Sequence, residues 1–304
     1  MSKFLNERYR KLESYTPGEQ PKDTVLTKLN TNESPYPPGP KVLEAINSRE
    51  AANLRLYSDP ECAGLKETLA KQYGMTKNNI YVSNGSDDIL NFAFMAFAGG
   101  RTEVLFPEIS YGFYQVFADL YNLKYTKVPL KEDFSIDPKD YVCQNKMIVI
   151  ANPNAPTGKA LSLYEIEEIV RTNPENVVLI DEAYVDFGAE SAVELVHKYE
   201  NLLVVQTFSK SRSMAGARLG FAIATMNVPD ILIIDEILAV GDYKFQEKSF
   251  ARMQEMIASG ATVVFVSHSI EQVQKICKKA LWLEHGHMRM LGDADAVCGE
   301  YMRA

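Results

Sequence analysis

The stretch from Leu202 to Phe221 limits the possible folds more than any other part of the chain. Leu202-Leu203-Val204-Val205 reads as a buried strand, because four consecutive apolar residues leave no polar face for solvent. It runs into Thr207-Phe208-Ser209-Lys210-Ser211-Arg212-Ser213, and a further cation, Arg218, follows eight residues after Lys210. A lysine set among hydroxyls at a strand end puts an amine beside an anion cradle. Lys210 is suited to forming a Schiff base with an aldehyde, and Thr207, Ser209 and Arg218 to holding a phosphate. On spacing alone, a surface lysine beside a serine-rich turn is the commoner arrangement and the better reading.

Further strands are predicted at Ile80-Tyr81-Val82-Ser83, Val104-Leu105-Phe106, Lys146 to Ala151 and Val177 to Ile180. Helices are predicted over about 62–73, from the Asn84-Gly85-Ser86-Asp87-Asp88 turn to Phe97, through Phe113 to Phe117, and over 163–171. This alternation predicts an α/β fold, a large doubly wound mixed sheet that binds ligand at the carboxyl ends of its strands. Gly85 opening a helix exposes unpaired N–H groups that suit a phosphate, although Ser86 or Asp87 fits a plain N-cap as well. Asp181-Glu182 closes one strand, and Tyr111 follows another at the edge where ligands bind. The aromatic residues Phe113, Tyr114 and Phe117, at helical spacing, read as core. Asn30 to Pro40 is too proline-rich for a helix or a central strand and reads as an extended arm.

With 304 residues, 46% hydrophobic and 24% charged, the chain can bury one large core or two. Its net charge of -8 argues against nucleic-acid backbones and anionic membranes as partners. Met1 to Arg8 lacks the apolar core of a signal peptide and no segment is apolar enough to span a bilayer, so a cytoplasmic protein without membrane insertion is expected. Cys62, Cys143, Cys277 and Cys298 show no CxxC spacing, which favours reduced thiols over a metal site.

Together these motifs resemble the fold type I pyridoxal-phosphate aminotransferases, and most closely the histidinol-phosphate aminotransferase family, over about residues 1–224. The resemblance implies pyridoxal 5'-phosphate on Lys210, Asp181 paired with the pyridine N–H, Tyr111 stacked on the ring and Tyr184 bonded to the ring oxygen. Ser86, Asp87, Ser209 and Arg218 would hold the phosphate, joined by Tyr57 from the other subunit of a homodimer. Asn32, Glu33 and Tyr36 on the arm would lie near substrate. The implied amino-group partners are glutamate and imidazole-acetol phosphate, in histidine biosynthesis. The chain departs from the family pattern at Ala155, where many members carry an asparagine before Pro-Thr-Gly. Either Asn154 or Asn152 takes that role, or one hydrogen bond is missing.

After about residue 224 the motifs change, where family members would continue into a small domain carrying a carboxylate-binding arginine. Ile231-Leu232-Ile233-Ile234-Asp235-Glu236 resembles a Walker B strand, Ala239-Val240-Gly241-Asp242 a D-loop, and Val266-Ser267-His268 the switch histidine of an ABC transporter ATPase. The closest likeness is to ATPase subunits of polysaccharide and teichoic-acid exporters, whose partner would be a transporter permease. Asp235, Glu236 and His268 would be the remnant of that site. No Walker A loop accompanies them, since the sole Gly-Lys pair, Gly158-Lys159, has Pro153 and Ala160 at the other key places. The expected organisation is an aminotransferase-like domain over 1–225, with its arm over 1–40, and a partial P-loop NTPase-like α/β segment over 226–304. A chimera without ATP hydrolysis is expected. The seam at 217–224 fits both families, and a strand is expected there because the sheet upstream is nearly complete.

Overall fold

Short apolar runs separated by helices close into one sheet in the first of two compact units, Met1–Met226 and Asn227–Ala304. A computed structural model describes residues 30–46, 53–99, 102–225, 231–235, 262–267, 269–284 and 287–303. The strands of the first unit are β1 (Ile80–Asn84), β2 (Val104–Pro107), β3 (Tyr125–Val128), β4 (Met147–Ala151), β5 (Val178–Asp181), β6 (Leu202–Thr207) and β7 (Leu219–Ala224). They lie in the order β1-β7-β6-β5-β4-β2-β3. Only β7 runs antiparallel to its neighbours, so the sheet is mixed and mostly parallel. The strand expected at the seam is therefore present as β7, inserted between β1 and β6.

The helices are α1 (Pro40–Ala45), α2 (Ala63–Gln72), α3 (Ser86–Phe97), α4 (Phe113–Leu120) and α5 (Leu163–Thr172). α5 starts at a capping box, in which Ser162 accepts from the Glu165 amide and Glu165 accepts from the Ser162 amide. Side chains along a strand alternate between faces, and this sorts the core into two layers. Ile148, Ile150, Val178, Ile180, Leu202 and Val204 pack on one face. Val149, Ala151, Leu179, Leu203 and Val205 pack on the other, together with Phe94, Tyr114 and Phe117 of α3 and α4. With both faces covered, the central strands are apolar throughout.

The second unit contains a parallel pair, β8 (Ile231–Asp235) and β9 (Thr262–Val266), with Asp235 level with Val266. It also contains α6 (Ile270–Ile276), a hairpin of β10 (Lys279–Glu284) and β11 (His287–Asp293), and α7 (Ala294–Tyr301). Trp282 meets Tyr301 edge-on, which fixes α7 against the hairpin. Glu236, the D-loop-like stretch Ala239-Val240-Gly241-Asp242 and His268 lie outside the described residues, as do residues 1–29 of the arm. Among the described residues, no helix is long and apolar enough to cross a membrane.

β7 passes close to the start of α3 at Gly220. A Cβ on Gly220 would lie 2.5 Å from both the Gly85 carbonyl carbon and the Ser86 nitrogen. These are backbone atoms that cannot rotate away. Gly220→Ala is expected to cost about 1–3 kcal/mol of stability through overpacking, measured as a lower denaturant midpoint.

Candidate active site

The carboxyl ends of β5 and β6, the β6–β7 loop and the start of α3 enclose a cavity of about 240 Å³. Ser86, Asp87, Tyr111, Asp181, Tyr184, Ser209, Lys210 and Arg218 all line it. They come from separate parts of the chain and meet because parallel strands deliver their following loops to one edge. A wider outer cleft shares Glu33, Tyr184 and Lys210 with this cavity and adds Asn32, Tyr36 and Arg212.

Asp181 is buried on the face of β5 that looks into the cavity. Its carboxylate accepts from the Tyr114 hydroxyl at 2.8 Å and from the Ala183 amide at 3.2 Å. Burial pushes its pKa up to about 6, the two donors oppose the rise, and the Asp87 charge adds to it. Among the described residues no cation pairs with it, so the site is electrostatically complete only with a positive group opposite this carboxylate. Tyr114 is fully buried, and burial followed by the adjacent Asp181 raises its pKa well above the usual phenol range. It is thus a fixed donor to Asp181. Its place in an aromatic run at helical spacing read as core, and the only hint of this contact was a phenol three residues after Tyr111.

Lys210 reaches the arm, where its Nζ donates to the Thr31 carbonyl at 2.9 Å and the Asn32 carbonyl at 3.4 Å. It also sits 5.7 Å from the centre of the Tyr184 ring. The Tyr184 oxygen accepts from the Asn32 amide at 2.9 Å, which leaves its own proton free to donate. Tyr111 lies two residues before α4 and does not start it; its hydroxyl donates to Asp87 at 2.8 Å.

At the opposite end, Gly85 adopts φ +83 and turns the chain into α3, which leaves the Ser86 and Asp87 amides at a helix start. Arg218 lies over this turn, so close that a Cβ on Gly85 would meet its Nη2 at 2.6 Å. It pairs with Asp87 at 3.6 Å. Ser209 donates its backbone N–H to the Thr207 hydroxyl, which in turn donates to the Ser209 hydroxyl.

Two sequence-derived residues stay away from the cavity. Asn154 is buried and spends its amide on the Ile109 carbonyl and the Thr157 hydroxyl, while its oxygen accepts from Ser110. Asn152 is used similarly, donating to and accepting from Leu161. Ala155 is the residue of this loop that lines the cavity. Tyr57 is fully exposed.

The sequence profile of the aminotransferase class I and II family matches residues 24–278. The chain belongs to this family. It is 44% identical to the histidinol-phosphate aminotransferase of Clostridium acetobutylicum over 307 aligned positions, 91% of this chain and 87% of that protein. Identity to the Brachyspira hyodysenteriae histidinol-phosphate aminotransferase is 54% over 229 positions, 75% of this chain but only 65% of that protein. The structure of the Sinorhizobium meliloti histidinol-phosphate aminotransferase in complex with pyridoxal-5'-phosphate superposes with a TM-score of 0.60 at 27% identity, over 64% of this chain and 55% of that one. The fold is thus the mixed, mostly parallel sheet of fold type I aminotransferases. The family match runs past β7 to residue 278, well into the stretch whose motifs resemble an ATPase.

The raised pKa of Asp181 has a thermodynamic consequence. A carboxyl whose folded pKa lies above its unfolded value favours the folded state at low pH, and stability falls as pH rises between about 4 and 6. Asp181→Asn removes that dependence. Without any ligand, the variant is expected to be more stable than the parent by about 1–3 kcal/mol at pH 7 and equal to it near pH 4. Urea unfolding at the two pH values measures the difference.

Proposed function

We propose that the chain acts as a histidinol-phosphate aminotransferase, moving an amino group between L-glutamate and imidazole-acetol phosphate in histidine biosynthesis with pyridoxal 5'-phosphate as cofactor. The observation that carries this reading is one small cavity holding an amine, Lys210, a buried carboxylate without a cation, Asp181, and a phenol with a free proton, Tyr184. The donor set fits the cofactor at each end. A protonated pyridine nitrogen supplies the charge that Asp181 lacks, and the α3 start with Arg218 suits a phosphate.

When bound, the cofactor supplies an electron sink for charge developing at the substrate Cα. Lys210 would hold the cofactor through its Nζ until the substrate amine displaces it, and the freed Nζ would then take the proton from the substrate Cα as base and return one as acid. Asp181 keeps the ring nitrogen protonated, and Tyr114 keeps the Asp181 carboxylate oriented. Tyr111 would pack on the ring, and Tyr184 would donate to the ring oxygen. The Ser86 and Asp87 amides, Ser209 and Arg218 bind the phosphate. Asn32, Glu33 and Tyr36, which line the outer cleft, receive the substrate. Tyr57 serves the phosphate of a second copy in a homodimer, which accords with its exposure here. Asn154 serves its own loop, so among the residues the sequence singled out for the ring oxygen, Tyr184 would be the donor left to hold it.

A second reading, for the tail only, is supported by the parallel pairing of β8 and β9. Asp235 ends one strand level with Val266 at the end of the other, and Ser267-His268 follow Val266 in the sequence. This is a remnant of an exporter ATPase segment that lacks a phosphate loop and does not hydrolyse ATP.

The main reading predicts one borohydride-stable pyridoxyl group per chain, located on Lys210 by peptide mass spectrometry after incubation with pyridoxal phosphate. Lys210→Ala is expected to abolish it. An equal adduct in the alanine variant would refute the assignment.

A further inference from the structure

Behind the cavity lies a polar chain that the reaction as described does not use. Glu182 leaves β5 on the face opposite Asp181, buried, and accepts from the Ser191 hydroxyl at 2.7 Å, the Ala192 amide at 2.6 Å and the Gln206 amide nitrogen at 2.8 Å. Because Gln206 donates its nitrogen to Glu182, its oxygen must face the other way. That oxygen accepts from the Tyr73 hydroxyl at 2.7 Å and from Arg212 Nη2 at 3.2 Å. Glu182 therefore sets the direction of an amide that would otherwise present donors to a guanidinium.

Arg212 is thereby held on two sides. Its Nη2 also reaches the Tyr73 hydroxyl at 3.2 Å, and its Nε lies 3.7 Å from Asp186. The guanidinium sits 4.8 Å from the Phe208 ring centre and 5.5 Å from that of Phe221. Arg212 is two residues from Lys210 in a loop that closes on itself, with the Met214 amide donating to the Phe208 carbonyl and the Ser213 amide to the Lys210 carbonyl. The neighbouring Ser211 hydroxyl donates to Asp186. The segment bearing the amine is thus anchored from beneath the sheet by a cation that does not line the inner cavity.

We propose that Arg212, oriented by Glu182 through Gln206, is a positioning residue that aims Lys210 at the carbonyl carbon of an aldehyde bound in the cavity. The proposal rests on the cofactor reading above. A freely pivoting loop would leave the phosphate cradle intact while misdirecting the amine, and misplacement near 1 Å costs up to about a hundredfold in rate. The roles of Arg212 and of the cradle residues are therefore separable by experiment.

The test compares two ligands on the full chain. Capture of pyridoxal phosphate is timed by borohydride quench and mass analysis of the Lys210 peptide. Affinity for pyridoxine 5'-phosphate, which has no aldehyde, is measured by calorimetry. Arg212→Met, which keeps an apolar stem over the two rings, is expected to slow capture tenfold or more while pyridoxine phosphate affinity stays within about twofold. Gln206→Leu should slow capture similarly, and the double variant should be no slower than the slower single one, because the two residues act as a unit. Unchanged capture in both single variants would overturn the proposal, as would equal losses of capture and pyridoxine phosphate affinity. Failure of the unmodified chain to capture pyridoxal phosphate at all would instead remove the cofactor reading itself.

Discussion

Two consecutive carboxyls at the end of β5 set the plan of the site. Strand geometry forces Asp181 and Glu182 onto opposite faces, and both are buried at the sheet's carboxyl edge. Burial raises Asp181 to about 6 and Glu182 to about 7, so neither ionises readily unless something opposite requires its charge. On the cavity face only Tyr114 and one amide answer Asp181. On the far face three donors answer Glu182 within the protein. One carboxyl is left short of partners while the other is fully engaged, which divides the sheet edge into a face prepared for a ligand and a face that supports it.

The same asymmetry appears in the glycines. Gly85 takes a backbone conformation that other residues avoid, and Gly220 lets β7 press against it. A side chain at either position would fill the space occupied by Arg218 or by the start of α3. The anion end of the cavity is thus shaped by missing side chains, and its polar end by buried ones. Such local departures from the best packing concentrate where a ligand is to be received.

Much of this was legible in the sequence. The central strands announced themselves as short apolar runs because both faces of the sheet are covered, which leaves no polar alternation to blur the signal. β7 was readable as a strand because the sheet upstream was nearly complete, although its place between β1 and β6 was not. The motif residues Ser86, Tyr111, Asp181, Tyr184, Ser209, Lys210 and Arg218 do converge on one cavity. The supporting polar chain was not legible. Tyr73 and Gln206 are bonded across 133 positions, and neither residue type at those places differs from an ordinary surface choice. Asn154 illustrates the opposite failure. Its residue type suits a ligand contact, but the turn's need to satisfy the Ile109 carbonyl and the Thr157 hydroxyl consumes the amide first.

The distribution of these residues along the chain separates two questions that the change of motif near residue 224 might otherwise entangle. Among the described residues, every one that lines the inner cavity lies between Thr31 and Arg218, within the Met1–Met226 unit. The outer cleft is likewise built from Asn32 to Ser213. Grip on an aldehyde-bearing ring therefore depends on one sheet and its arm, whatever the remaining residues contribute. Recognition of a substrate's own carboxylate demands a further cation, and the described lining of the outer cleft offers only Arg212 beside Lys210. Arg212 spends Nη2 on Gln206 and Tyr73 and sets Nε 3.7 Å from Asp186, while its Nη1 is buried with no hydrogen-bond partner among the described residues. The described lining of both hollows thus lies inside the first unit, and the Arg212 Nη1 is the cationic donor of the outer cleft that the protein leaves unpaired.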